Sequence, residues 1–163
     1  MHKNYLTDEE FFRIYTRVPR LNVDLVIESE GKILLAKRNI EPNHGEWHLL
    51  GGTVYKEETI TEASVRIAKA ESGLDVKVLR CLGYMEFLHE MRSGVVNKNI
   101  KGELHTISIV MEAQSIGGSV KKDDNADELQ FFEETPENNV VKEHYAFLKG
   151  LESKRDSIKT LLG

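Results

Sequence analysis

Between Gly51 and Leu74 the chain reads GGTVYKEETITEASVRIAKAESGL, and the residues best suited to chemistry stand within it. Gly52, Glu58, Arg66, Glu71 and Gly73 are separated by five, seven, four and one intervening residues. The glycine pair lets a ligand approach the main chain closely. At about 100° per residue, Ile60, Ala63, Ile67 and Leu74 share one stripe of a helix, which should face the core. Glu71 falls within that stripe, one turn beyond Ile67. An ionised carboxylate among apolar neighbours is costly unless an arginine or a metal ion satisfies it. Glu71 is therefore the residue that a function must explain. Plainer readings stand beside this one: the glycines form a turn, Glu71 pairs with a nearby base, and Arg66 pairs with Glu62 one turn earlier.

The elements that must position these residues follow from local pattern. Thr59 or Thr61 caps the helix, glutamates crowd its positive end, and Gly73 stops it. Upstream, Thr7-Asp8-Glu9-Glu10 has capping-box spacing and opens a short amphipathic helix through Phe11, Phe12 and Tyr15, ended by Pro19. Val23 to Ile27 and Ile33 to Ala36 predict a β-hairpin about Glu30-Gly31. Asn39 to Gly45 predicts a loop containing Pro42, and Trp47 starts a short extended piece that leads to the glycines. After the helix, Val76 to Phe87 and Leu104 to Ala113 read as long strands flanking a polar loop from Arg92 to Gly102. A second loop is expected from Gly117 to Asp127, then a short strand from Leu129 to Phe132. Val140, Val141, Tyr145, Leu148 and Leu151 recur at helical spacing after Pro136. This order predicts an α/β fold, a mixed sheet between helical layers.

At 163 residues the chain suits a single domain, 1–163, with an adequate core. Its content of 40% hydrophobic and 30% charged residues is that of an ordinary globular protein. A net charge of −5 disfavours a nucleic-acid partner held by backbone phosphates, but leaves room for a small anionic ligand. The lone Cys81 excludes an internal disulfide and cysteine-rich zinc patterns, and its alternating apolar run predicts buried filler. No signal peptide and no apolar run of membrane-spanning length is visible, so a cytoplasmic location without membrane contact is expected.

The spacing of Gly52, Glu58, Arg66, Glu71 and Gly73 resembles the Nudix box, with which Nudix hydrolases hold a divalent metal on a diphosphate. Two positions where that box usually carries glutamate are Ile67 and Ala70. The altered box is similar to that of the GDP-mannose mannosyl hydrolase branch. That branch also lacks the glutamate after the arginine and keeps an Ala-Glu pair like Ala70-Glu71. The run LLAKRNIEPNHGEWHLLGG resembles the approach to the box in the same branch. The resemblance implies the Nudix fold, a three-layer α/β/α sandwich. Asp24 matches an aspartate that contacts nucleotide or sugar, and Arg38 an arginine that reaches the diphosphate. Gly51, through its carbonyl, and Glu71 match metal ligands. In the best register Asn125 stands at a loop amide ligand and Ala126 at the branch's catalytic histidine. Thr53 and Thr106 stand where the branch has an arginine and a tyrosine.

The resemblance therefore implies a Mg²⁺-dependent (or Mn²⁺-dependent) hydrolase of a nucleoside diphosphate linked to another group, with a nucleotide sugar favoured. One metal would be held by Gly51, Glu71 and Asn125, because Ile67 and Ala70 cannot coordinate. Arg66 and Glu71 are the catalytic candidates within the box. Asp123, Asp124, Asp127 and Glu128 supply candidates for the base, Asp127 foremost, with His89 and His105 behind them. Asp24, Arg38, Gly52 and Trp47 are the substrate-binding candidates. Asp24 otherwise points from an exposed strand face, Trp47 otherwise anchors the core, and His44 and His48 read as solvated. Attack at an anomeric carbon or at phosphorus both stay open, and the thinned box favours carbon. A Nudix-fold nucleotide-binding protein that has lost catalysis is the alternative from another class. Relatives are often dimers, which leaves room for a homodimer.

Overall fold

The computed structural model of the chain describes residues 6–39, 43–90 and 104–162. The loop expected at 92–102 and Pro42 lie outside the described residues, as does the side chain of His89. In chain order the elements are α1 (Asp8–Tyr15), β1 (Arg20–Ser29), β2 (Lys32–Arg38), β3 (Trp47–His48) and β4 (Leu50–Thr53). They continue with α2 (Ile60–Ser72), β5 (Leu74–Glu90), β6 (Leu104–Gly118), β7 (Ala126–Phe132) and α3 (Lys142–Leu162).

The sheet is mixed. Its main path runs β3-β2-β1-β6-β5, with β4 added to β1 and β7 to β2. Among the described strands, β1 and β6 pair parallel and the other pairs are antiparallel. The hairpin between β1 and β2 forms about Glu30 and Gly31, whose φ angles of 52° and 78° suit a tight turn. Beyond Glu28 and Ile33 the two strands part: β1 takes β4 as its neighbour, and β2 takes β7 and β3. The candidate residues lie along this parting.

Alternation along the strands sorts side chains onto two faces. On one face Val23, Leu25, Ile27, Leu34 and Leu50 pack with Ala63, Ile67 and Ala68 of α2. On the other, Val26, Leu35, Leu49 and Val110 pack with Leu148 of α3, edged by Phe147 and Leu151. Two cores on opposite faces make the three-layer sandwich. Among the described residues no helix is long and apolar enough to cross a membrane.

Several expectations need correction. α1 ends at Tyr15 with Thr16 as its C-cap, ahead of Pro19, because the Thr16 hydroxyl and amide both turn back to Phe12. β6 runs through Gly118 and β7 starts at Ala126, so the loop between them is shorter than predicted and Asp127 lies in a strand. β5 continues to pair with β6 through the glycines, with a register shift between Asp75 and Val76. Cys81 is exposed rather than buried. Bulges on both sides of it, between Val78 and Arg80 and between Cys81 and Gly83, break the alternation that its prediction relied on.

Candidate functional site

α2 is fixed at both ends by its own sequence. Thr59 caps it: the Thr59 hydroxyl accepts from the Glu62 amide, and Glu62 accepts from Thr59 in return. Gly73 ends it in the left-handed conformation at φ 72°, and a Cβ there would come within 2.5 Å of the Ser119 carbonyl. The buried side of α2 comprises Ala63, Ser64, Ile67, Ala68 and Ser72. Leu74 is buried too, but as the first residue of β5. Glu71 sits at the edge of this side, half-buried, where α2 meets β4.

There the Gly51 amide donates to the Glu71 carboxylate at 3.1 Å. Gly51 in turn pairs with Asp24 across the β1–β4 ladder. A Cβ on Gly51 would collide with the Asp24 carboxylate and approach the Val23 carbonyl to 2.8 Å, so the position requires glycine for space. Gly52 faces the helix instead, with Ile67 at 3.4 Å and the Glu71 carboxylate at 3.9 Å from where its Cβ would stand. Asp24 is buried, not on an exposed face, and accepts a short hydrogen bond from the Ser108 hydroxyl on β6. Burial, then the nearby Asp123 and Asp24 carboxylates, push the Glu71 carboxyl up to about 8, against the pull of the Gly51 amide and Arg66. Among the described residues Glu71 thus has no positive partner in contact, and it stands near like charges.

Arg66 is committed elsewhere. Its fork donates to Glu58 at 2.6 and 2.8 Å and to the Thr53 carbonyl at 2.9 Å, and its guanidinium lies 3.9 Å from the Tyr55 ring centre. Glu58, not Glu62, is its acid. Glu58 also accepts the Tyr55 amide at 2.9 Å, so the Glu58–Arg66 pair closes the loop between β4 and α2.

The loop before β7 forms the other wall. The Asn125 amide and side-chain amide both donate to Asp123 at 3.0 Å. Asn39, at the end of β2, donates to the Asp124 carbonyl at 2.7 Å and to the Asn125 carbonyl at 3.3 Å. These bonds hold Asp123 near both Glu71 and His48. Arg38 pairs with Ala126 at the last rung of the β2–β7 ladder and acts on His48 and His144.

Glu71, Gly51, Gly52, Asp24 and Asp123 are therefore brought together, and Asp123 shares the neighbourhood of His48 with Arg38. Asn125 contributes by orienting Asp123. Asp127 is exposed on β7, and the loop carboxylate that acts on Glu71 is Asp123. Trp47 stands with the α3-side core, edge-on to Phe132 at 4.9 Å between ring centres. Thr106 is buried and accepts from Arg20 at 3.0 and 3.2 Å. His105 is half-buried, 3.7 Å from Glu86.

The sequence predicts a solvated His48, and the structure corrects this. Its ring is desolvated enough to lower its pKa to about 4, by burial first and then by Arg38. Only strand pairing, Ala36 with His48, could have signalled that this position turns inward.

Among the described residues, no three His, Cys, Asp or Glu side chains stand around one point as a ready-made metal cage. The donors at hand are oxygens: one Glu71 carboxylate, the Gly51 main chain and the loop acids. Hard oxygen donors few in number suit Mg²⁺, which completes its octahedron with water and phosphate oxygens. A cation there would also relieve the like charges that keep Glu71 protonated.

A family model described as the NUDIX domain matches residues 18–151. The chain is 35% identical over 130 residues to the low-salt glycan biosynthesis protein Agl8 of Haloferax volcanii, covering 78% of this chain and 80% of that one. It is 39% identical over 126 residues to an ADP-ribose pyrophosphatase of Methanocaldococcus jannaschii, covering 77% of this chain and 68% of that one. Among solved structures, a NUDIX hydrolase from Nitrosomonas europaea superposes with a TM-score of 0.68 at 21% identity, over 85% of this chain and 73% of that one. A MutT protein from Methanosarcina mazei gives 0.68 at 22% identity, over 84% and 96%. These two likenesses concern the fold.

Proposed function

This chain belongs to the Nudix hydrolase family, and we propose that it hydrolyses a nucleotide sugar, or a like nucleoside diphosphate derivative, with the help of one Mg²⁺ or Mn²⁺ ion. The observation that carries this reading is Glu71, a carboxyl pushed up to about 8 by burial and by Asp123 and Asp24, beside the Gly51 backbone. Carboxyls perturbed by burial together with specific neighbouring charges cluster at functional sites. Names of the relatives agree in class: one acts in glycan biosynthesis and one on ADP-ribose.

Gly51 and Glu71 would hold the ion, with Asn125 or the Asp123 it orients completing the protein's share. When bound, the ion neutralises charge that builds on a departing diphosphate. Arg38 offers a planar fork to two diphosphate oxygens. Asp24 faces the substrate from β1, and Gly52 keeps the backbone open to it. Arg66 positions the loop through Glu58 and does not reach the substrate. The water-orienting base is a carboxylate of the loop before β7, and Asp123 is better placed for it than Asp127.

With Ile67 and Ala70 in the box, one carboxylate serves where a multi-metal site would need several. This favours displacement at the sugar's anomeric carbon, with the nucleoside diphosphate leaving. The relative called a pyrophosphatase makes the anhydride bond the competing target. Turnover of GDP-mannose and ADP-ribose with Mg²⁺ or Mn²⁺, run in ¹⁸O-water, separates the two. Label in the sugar released from GDP-mannose is expected, whereas ADP-ribose, whose terminal ribose is held through its 5-hydroxyl and not its anomeric carbon, reports attack at phosphorus alone. Label in a phosphate from GDP-mannose refutes carbon attack, and no turnover of either compound refutes the hydrolase reading.

A further inference from the structure

The dipeptide His48-Leu49 is clamped by imidazoles from both sides. His48 Nδ1 lies 2.7 Å from the Leu49 carbonyl oxygen, which only accepts, so Nδ1 carries the proton and donates. The Leu49 amide donates to His144 Nδ1 at 2.9 Å, and His144 is buried at the base of α3. The two rings stand edge to face, 6.1 Å between centres. These contacts fix both the rotamer and the tautomer of His48. Its Nε2 is left with a lone pair and makes no hydrogen bond to another of the described residues.

Among the described residues, the charged and titratable groups that face this ring are Arg38, Asp123 and His144. Arg38 only donates, and Asp123, held by both Asn125 donors, only accepts. The edge of the site therefore presents a definite pattern: one cationic donor suited to phosphate oxygens, and beside it two acceptors that phosphate would repel or fail to satisfy. A ligand that places its diphosphate on Arg38 needs a neutral donor at the adjoining position. Burial and Arg38 keep the imidazole unprotonated near neutral pH, so the acceptor is permanently available.

We propose that His48 is a specificity-determining residue, whose Nε2 accepts a hydrogen bond from a donor group of the substrate next to the diphosphate. This rests on the hydrolase reading above. The donor is a hydroxyl of the transferred sugar or a donor on the nucleoside, and the same experiment tells these sources apart.

The test compares wild type with His48→Phe, which keeps a ring but cannot accept, and His48→Gln, which retains an acceptor. For each, kcat/KM is measured with GDP-mannose and ADP-ribose, together with inhibition by GDP and ADP, and thermal melting checks the fold. His48→Phe should lower kcat/KM by about tenfold, the worth of one buried hydrogen bond, while His48→Gln recovers most of that loss. Unchanged inhibition by GDP and ADP assigns the donor to the sugar; an equal loss there assigns it to the nucleoside. Full activity in His48→Phe overturns the proposal, as does a His48→Gln variant no better than His48→Phe, which would mean that ring shape alone matters. Either result leaves the hydrolase reading standing; a wild type that turns over neither compound removes both.

Discussion

Glu58 and Glu71 flank α2 at opposite ends, and the protein treats them in opposite ways. Glu58 receives two guanidinium bonds from Arg66 and one amide from Tyr55, all within 2.9 Å. Glu71 receives a single amide at 3.1 Å and looks toward two other acids. The first carboxylate is neutralised from within, so its work is finished when the chain folds. The second is left to a proton or to something brought from outside. Identical side chains on one motif thus divide into a clasp and a socket, and the difference lies in what faces them, not in the residue type.

Glu71→Gln should break this contrast most sharply. The amide keeps a hydrogen-bond acceptor for Gly51 but has no charge for a cation, so activity should fall at least a hundredfold, equivalent to about 2.7 kcal/mol in the barrier. The melting temperature without metal should hold or rise, because the buried group can no longer ionise beside Asp123 and Asp24. Turnover equal to wild type would remove Glu71 from the mechanism and reduce the socket to an accident of burial.

Arg66→Ala addresses the clasp and should cost about 2 kcal/mol of stability in a denaturant titration, since Glu58 is left without its partner and the loop over Thr53 and Tyr55 loosens. Activity should drop by about tenfold as Gly51 and Gly52 lose their support. A loss of a hundredfold or more with unchanged stability would instead place Arg66 against the substrate, and the contrast between the two carboxylates would dissolve.

Most of the fold could be read in the sequence because its signals are local: the Thr7 and Thr59 capping boxes, the Gly73 stop, and the turn at Glu30-Gly31 each need only a few neighbouring residues. The box spacing likewise placed Gly51, Glu71 and Arg66. What escaped reading depends on pairing across the sheet. Asp24 is buried because β4 and β6 flank it, and His48 turns inward because β3 adds to the edge of β2. Asp123, rather than Asp127, faces Glu71 because Asn39 and Asn125 tie down the loop, and a one-residue change of register there changes which acid points in. Cys81 misled because bulges in β5 interrupt the alternation on which its placement rested.

The smallest effect, and the most diagnostic, is the pH dependence of stability without metal. Glu71 is raised from 4.5 to about 8 in the folded protein, so above 4.5 the folded state holds a proton that the unfolded chain releases. Stability from this group is therefore present at low pH and is lost as pH rises toward about 8. His48 and His144 are lowered from 6.5 to about 4 and about 3 by burial, so they act in the other direction, with stability full above 6.5 and lost as pH falls below it. About one pH unit above 6.5 the two histidines fall silent, so from about pH 7.5 to just above 8 the slope belongs to the socket. Chemical denaturation of the metal-free protein should show stability falling across that window, and Glu71→Gln should flatten it. Added Mg²⁺ replaces the proton as the positive partner, so its stabilising effect should grow with pH over the same range in wild type and vanish in the variant. A slope that persists in Glu71→Gln would mean that another group titrates there, and the clasp and the socket would no longer differ in kind.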